Sequence, residues 1–197
     1  MDIDAVLFDM DGTLVDSDAV VERLWRQWAR ENDTDVDLVL ETMPGRPAED
    51  TVRAVRPDLD AAAHGRAQLE REYLDLDGVV AAPGAHELLA ALDEARVPWA
   101  VVTSADTRLA ELRLGAAGVV ATTLVTRDRL THGKPHPEGY LLAAERLGVD
   151  PARCLVVEDT ATGATAGRDA GARVAGLKGT ESDLPISTLT DLLEVTR

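Results

Sequence analysis

The chain has 197 residues, 45% of them hydrophobic but only 3% aromatic, enough for one well-filled core resting on Ala, Val and Leu, with room for a small second module. A formal net charge of −16 argues against nucleic acid and anionic membranes as partners, because both need basic protein surface. The opening MDIDAVLFD lacks the basic region and long apolar run of a secretory leader, and no apolar stretch nears the roughly 20 residues that span a bilayer, so a soluble, cytoplasmic protein is expected.

In chain order, the apolar run Ile3–Asp9 reads as a buried strand ending in an acid. After the turn DGT, Val20, Val21, Leu24, Trp25 and Trp28 recur at helical spacing, opposite a charged face, and the tryptophans read as packing. From there to about Asp77 the pattern is helical throughout, broken at Asn32–Asp35, Pro44–Pro47 and Pro57–Asp58. Arg53, Arg56, Arg66 and Arg71 sit among acids and read as solvated surface charges. Pro83-Gly84 opens a helix striped by Leu88, Leu89 and Leu92.

Strands and helices then alternate. Strands are predicted at Trp99–Val102, Thr122–Val125, Cys154–Val157 and Arg173–Leu177. Helices are predicted at Thr107–Ala117, Pro137–Leu147 and Thr160–Ala170, with a short last one at Ser187–Glu194. This pattern implies a parallel, Rossmann-like α/β sheet with helices on both faces, and the continuous runs AVLF, WAVV and CLVV suit strands buried on both sides. Cys154, the single cysteine, cannot form an intramolecular disulfide and reads as a small buried side chain. An α-helical module, residues 16–78, therefore interrupts an α/β core made of residues 1–15 and 79–197.

Ligands of an open parallel sheet bind beyond the carboxyl ends of its strands. The residues there are Asp9, Asp11, Gly12 and Thr13 after the first strand, Thr103 and Ser104 after the second, Lys134 in the loop after the third, and Glu158 and Asp159 after the fourth. Carboxylates so clustered repel one another unless a cation shares them, and Mg²⁺ suits an all-oxygen site that also receives a substrate phosphate. A lysine and hydroxyls beside it supply charge and hydrogen bonds to phosphate oxygens. Gly12 lets backbone amides approach an anion. A carboxylate can attack phosphorus to give an aspartyl-phosphate, and an acid two residues on can protonate the leaving alkoxide and later activate water.

These residues carry a resemblance. DMDGTLVDS from Asp9, VVTSA with Thr103 or Ser104, GKP with Lys134, and VVEDTATG with Glu158 and Asp159 resemble, in order, the four motifs of the haloacid dehalogenase-like phosphohydrolases. The resemblance implies that Asp9 is nucleophile and metal ligand, and that Asp11 is general acid/base with its main-chain carbonyl on the metal. Thr103 and Lys134 would hold the phosphoryl group, and Asp159 with Glu158 would complete a magnesium site. An acid at Asp11 disfavours carbon–halogen cleavage, since members with that activity lack it.

By the same resemblance the helical module is a cap that supplies substrate contacts. Its loop Met43–Asp50 is the candidate substrate reader, with Arg46 as a ligand for a second polar group or as a surface salt-bridge partner. The chain is similar to sugar- and polyol-phosphate phosphatases of the 2-deoxyglucose-6-phosphate and glycerol phosphatase type. A hexose-phosphate mutase of the β-phosphoglucomutase type is the competitor, but those carry an arginine where Ala48 stands and a histidine about where Val21 stands. Phosphonate cleavage needs a cap lysine, and residues 16–78 contain none. A non-catalytic binding protein would be expected to lose a motif residue, and none is lost. Sixteen acids against eight bases in residues 16–78 disfavour a polyanionic substrate. The resemblance further suggests a monomer acting on a small phosphate ester. His64, His86, His132 and His136 lack metal-ligand spacing and receive no role.

Overall fold

AVLF at residues 5–8 offers water no polar side chain. In the computed structural model, which describes residues 3–194, it forms strand β1 (Ala5–Phe8), buried along its whole length. The chain continues through β2 (Val15–Asp16), helices α1 (Asp18–Glu31), α2 (Val36–Thr42), α3 (Ala48–Val55) and α4 (Ala61–Leu74), and returns at β3 (Val80–Ala81). There follow α5 (Ala85–Ala95), β4 (Trp99–Val102), α6 (Thr107–Ala116), β5 (Leu124–Val125), α7 (Glu138–Leu147), β6 (Cys154–Glu158), α8 (Ala161–Asp169), β7 (Arg173–Gly176) and β8 (Leu184–Pro185).

The main sheet has the order β5-β4-β1-β6-β7-β8, with every neighbouring pair parallel. Side chains alternate across each strand, so two apolar layers form. Val6, Phe8, Val101, Leu155 and Val157 pack with Leu88, Leu89 and Leu92 of α5 and Ala110 and Leu114 of α6. On the other face Leu7, Ala100, Val102 and Val156 meet Tyr140 and Ala143 of α7 and Ala164 of α8. The fold is thus the expected Rossmann-like sheet covered on both faces. Strand order reverses at β1, which places the binding crevice at its carboxyl end.

The four helices between β2 and β3 enclose a core of their own: Trp25, Trp28, Ala29, Val39, Val52 and Val55. Trp25 and Trp28 meet edge to face at 5.5 Å, a favourable aromatic geometry. Aspartates cap two of these helices, Asp35 accepting from Asp37 N and Asp60 from Ala63 N, which satisfies amides that a helix start leaves unpaired.

Several expectations are corrected at the edges. The strand predicted at Thr122–Val125 is only Leu124–Val125, although Thr123 O still accepts from Val101 N–H at 2.9 Å. The last helix, predicted over Ser187–Glu194, is a 3-10 turn at Leu189–Leu192 closed by a Thr188–Asp191 capping box. The antiparallel pair β2–β3 and the short β8 were not predicted, since two residues hold no periodicity. Among the described residues no helix is long and apolar enough to cross a membrane.

Candidate active site

Parallel pairing ends the strands at a common edge, where Asp9 N–H donates to Val157 O and Thr103 N–H to Val125 O. Asp9, Asp11, Thr103, Ser104, Lys134 and Asp159 all line one cavity of about 720 Å³ between this edge and the helical insert. The sequence placed these six at strand ends, and the fold brings them together.

Lys134 is the centre of charge. Its ammonium donates to Asp9 Oδ1 and, at 2.6 Å, to Glu158 Oε1, with its side chain only 8% exposed. Burial alone would lower its pKa, but Asp9 and Glu158 more than offset this and raise it well above the usual lysine value. Glu158 is fully buried, and its carboxylate is saturated. Oε1 also accepts from Tyr140 Oη at 2.8 Å, while Oε2 accepts from Thr160 Oγ1 at 2.9 Å and from the amides of Asp159 and Thr160. These bonds compensate for the burial of a charge and fix Lys134 in place.

Carboxylate oxygens of Asp9, Glu158 and Asp159 lie within 4.8 Å of one another. Burial pushes the Asp9 carboxyl well above the ordinary range; Lys134 opposes this, and Glu158 and Asp159 add to it. Burial likewise raises Asp159 to about 6, against the pull of Lys178 Nζ at 3.1 Å. Hard oxygen donors, mutually repelling and only partly neutralised by lysines, fit a small divalent cation.

The residues flanking Asp11 are placed differently from the sequence expectation. Gly12 adopts φ +82°, and a Cβ there would lie 2.1 Å from Asp159 Oδ2. Thr13 is fully buried, its hydroxyl 3.5 Å from Asp159 Oδ1. Neither lines the cavity. A tight turn, in which the amides of Thr13, Leu14 and Val15 all donate to Met10 O, sets both residues beside Asp159. Thr103 is buried, its hydroxyl accepting from Ala105 N–H at 3.0 Å, which leaves the hydroxyl proton available to a ligand.

From the insert, Trp25, Arg46, Glu49 and Arg66 line the cavity, as do Val21 and Ala48. Arg46 and Arg66 are exposed and form no ion pair among the described residues, so the surface salt bridge considered for Arg46 is not seen. Arg66, read from sequence as a solvated charge, is exposed and also lines the cavity wall. Arg53, Arg56 and Arg71 do pair on the surface, with Glu49 and Asp50, Asp58, and Glu31 respectively. Trp28 and His64 stack edge to face within the insert. His132 and His136 are exposed beside Glu138, and Cys154 is buried, its thiol pushed up to about 11 mainly by burial.

Four polar residues escaped the sequence reading. Arg113 of α6 is 4% exposed and bonds Asp11 Oδ1 at 3.0 Å and Glu72 at 2.9 Å. Ser17 Oγ donates to the same Asp11 oxygen at 2.7 Å. Tyr140 holds Glu158, and Lys178 joins Asp159 to Asp18. A signal existed for Arg113, which stands four residues after Leu109 on the apolar stripe of its helix; a charge in such a stripe needs a buried partner.

The chain is similar to known proteins along nearly its whole length. The haloacid dehalogenase-like hydrolase family matches residues 3–171. Hexitol phosphatase A of Escherichia coli is 39% identical, the match covering 95% of this chain and 88% of that protein. The 2-deoxyglucose-6-phosphate phosphatase 2 of Saccharomyces cerevisiae is 31% identical over 89% of this chain and 80% of its own. A haloacid dehalogenase-family hydrolase of Deinococcus radiodurans, solved with phosphate and sodium bound, is 30% identical, with a TM-score of 0.68 over 97% of this chain and 88% of that one. A cavity edged by Asp9, Asp11, Thr103, Lys134 and Asp159, with relatives of this kind along nearly its whole length, means that the chain belongs to the haloacid dehalogenase-like hydrolases.

Proposed function

We propose that the protein is a magnesium-dependent phosphatase that releases phosphate from a small sugar or polyol phosphate through an aspartyl-phosphate on Asp9. The observation that carries this reading is the buried Lys134 ammonium held on Asp9 by a saturated Glu158, at the floor of a cavity that Asp11 and Thr103 also line.

Asp9 attacks phosphorus, and the alkoxide leaves with a proton from Asp11. Asp11 then takes a proton from water, which hydrolyses the acyl-phosphate and restores Asp9. Lys134 and the Thr103 hydroxyl hold phosphoryl oxygens, where charge builds in the transition state. Asp9, Asp159 and the Asp11 main-chain carbonyl would hold Mg²⁺, with Glu158 beside them holding Lys134; the ion would screen negative charge on the phosphoryl group.

The helical insert, residues 16–78, acts as a cap. It is tied to the core through Glu72–Arg113, Asp18–Lys178 and the Tyr73–Asp106 hydrogen bond, so it can shield the reaction from bulk water. Acidic Glu22 and Glu49 beside basic Arg46 and Arg66 on its wall suit a neutral body rich in hydroxyls. The hexitol phosphatase and 2-deoxyglucose-6-phosphate phosphatase relatives support that substrate class.

The test is phosphate release from a panel of hexitol, hexose, glycerol and nucleotide monophosphates, with magnesium or chelator, for wild type and Asp9→Asn. Magnesium-dependent release lost in Asp9→Asn is expected. Interconversion of hexose phosphates without release would favour a mutase instead, and absence of any turnover would favour a binding protein.

A further inference from the structure

Strand-end geometry accounts for Asp9, Thr103, Lys134 and Asp159, but not for the cation that lies against Asp11. Arg113 shares the buried face of α6 with Leu109, Ala110 and Leu114, where an apolar side chain would satisfy packing without desolvating a charge. Its Nε is buried without a hydrogen-bond partner. Buried ion pairs give little or no net stability compared with apolar replacements, so stability alone does not explain an arginine here.

Its two contacts do. Arg113 Nη1 reaches Asp11 Oδ1 at 3.0 Å, the oxygen that Ser17 Oγ also holds at 2.7 Å. No donor among the described residues engages Oδ2, so both contacts hold the carboxylate by one oxygen. Nη2 donates to Glu72, at 2.9 Å, and Glu72 belongs to α4, the last helix of the insert. One guanidinium thus spans the acid of the core and a buried carboxylate of the insert. The neighbouring Tyr73 donates to Asp106, the N-cap of the same α6, so α4 is seated on the helix that carries Arg113.

We propose that Arg113 is a positioning residue which holds Asp11 by Oδ1 and, through Glu72, makes the aim of the other carboxylate oxygen, Oδ2, depend on the insert being seated on the core. The proposal rests on the reading of Asp11 as general acid. It makes Asp11 most effective when the cavity is covered, and it acts on a step that matters only when the leaving group needs a proton.

That dependence gives the experiment. Values of kcat and KM would be measured for a hexitol phosphate, whose alkoxide needs protonation, and for para-nitrophenyl phosphate, whose phenolate does not. Wild type, Asp9→Asn, Asp11→Asn, Arg113→Met, Arg113→Lys, Glu72→Gln and Arg113→Met/Glu72→Gln would be compared, with thermal unfolding as the check on folding. The double variant avoids leaving Glu72 buried without its cation. A misplaced acid should cost about 10²-fold in kcat on the hexitol ester and less than about 5-fold on the nitrophenyl ester, with KM little changed. Arg113→Lys should recover part of the loss, and Glu72→Gln should fall between wild type and Arg113→Met.

Equal losses on both esters, or none, in the folded double variant would overturn the inference while leaving the phosphatase reading intact, provided Asp9→Asn is dead. Glu72→Gln behaving as wild type would overturn the tie to the insert. Failure of wild type to release phosphate from either ester would remove the phosphatase reading, and this inference with it.

Discussion

Gly163→Ala sets two magnitudes against each other. Gly163 lies in the first turn of α8, where replacing glycine by alanine ordinarily stabilises a helix by up to about 1 kcal/mol. Here a Cβ would lie 1.6 Å from Glu158 Oε1 and 1.9 Å from its Cδ, so the carboxylate must move by nearly 2 Å to reach ordinary contact. Such a shift breaks or stretches the bonds from Lys134, Tyr140 and Thr160 Oγ1 at 2.6, 2.8 and 2.9 Å. Hydrogen bonds to a charged group contribute about 1.5–3 kcal/mol each. Loss of two of them outweighs the helix gain, for a net destabilisation of about 3 kcal/mol. For a chain of this size that lowers Tm by about 6–12 °C. Lys134 moves with Glu158, so kcat should fall by about 10²-fold. Thermal unfolding and steady-state phosphate release, on the same preparation, check both. An unchanged or higher Tm with kcat within about 3-fold would refute the account of Glu158 as the rigid support of Lys134.

Glu72 gives a pH prediction. Burial raises its pKa to about 7 from 4.5, with Arg113 opposing, so the folded protein keeps a proton that the unfolded chain has lost over that interval. Stability from this group is therefore highest below about pH 4.5 and falls as pH rises to 7, by on the order of 3 kcal/mol. In urea unfolding, the balance between wild type and Glu72→Gln should shift toward the variant by about that amount between pH 4.5 and 8; a constant difference would refute it. Thr103→Val should lower kcat by more than about 10-fold, since the hydroxyl proposed to hold a phosphoryl oxygen is lost, while Ser104→Ala should cost less than about 5-fold; the reverse order in kinetics would exchange their roles. Gly12→Ala forces a side chain into positive φ and onto Asp159, and should weaken magnesium activation more than about 10-fold, read from a metal titration of activity.

Residues whose role follows from the end of a buried strand were legible in the sequence. AVLF, WAVV and CLVV suit strands covered on both faces, and parallel packing then carries Asp9, Thr103, Glu158 and Asp159 to one edge. The helical insert was legible from its period and its proline breaks. The closeness of Gly12 and Thr13 to Asp159 was not, because it depends on how the turn at Met10 lies against the end of β6. Arg66 looked like any surface charge on an acidic helix, and only the seating of α4 puts it on the cavity wall.

The amino-acid sequence by itself determined the layered sheet, the helical insert and the acids and lysine of the catalytic edge, since local periodicity and strand polarity are properties of neighbouring residues. Tertiary structure alone decided the links among them. Glu72 reaches Arg113 across 41 positions, Tyr140 reaches Glu158 across 18, and β2 meets β3 with the whole insert between them. Each of these depends on how one element lies against another, and burial of polar groups among such elements is decided only when the packed chain leaves them no water.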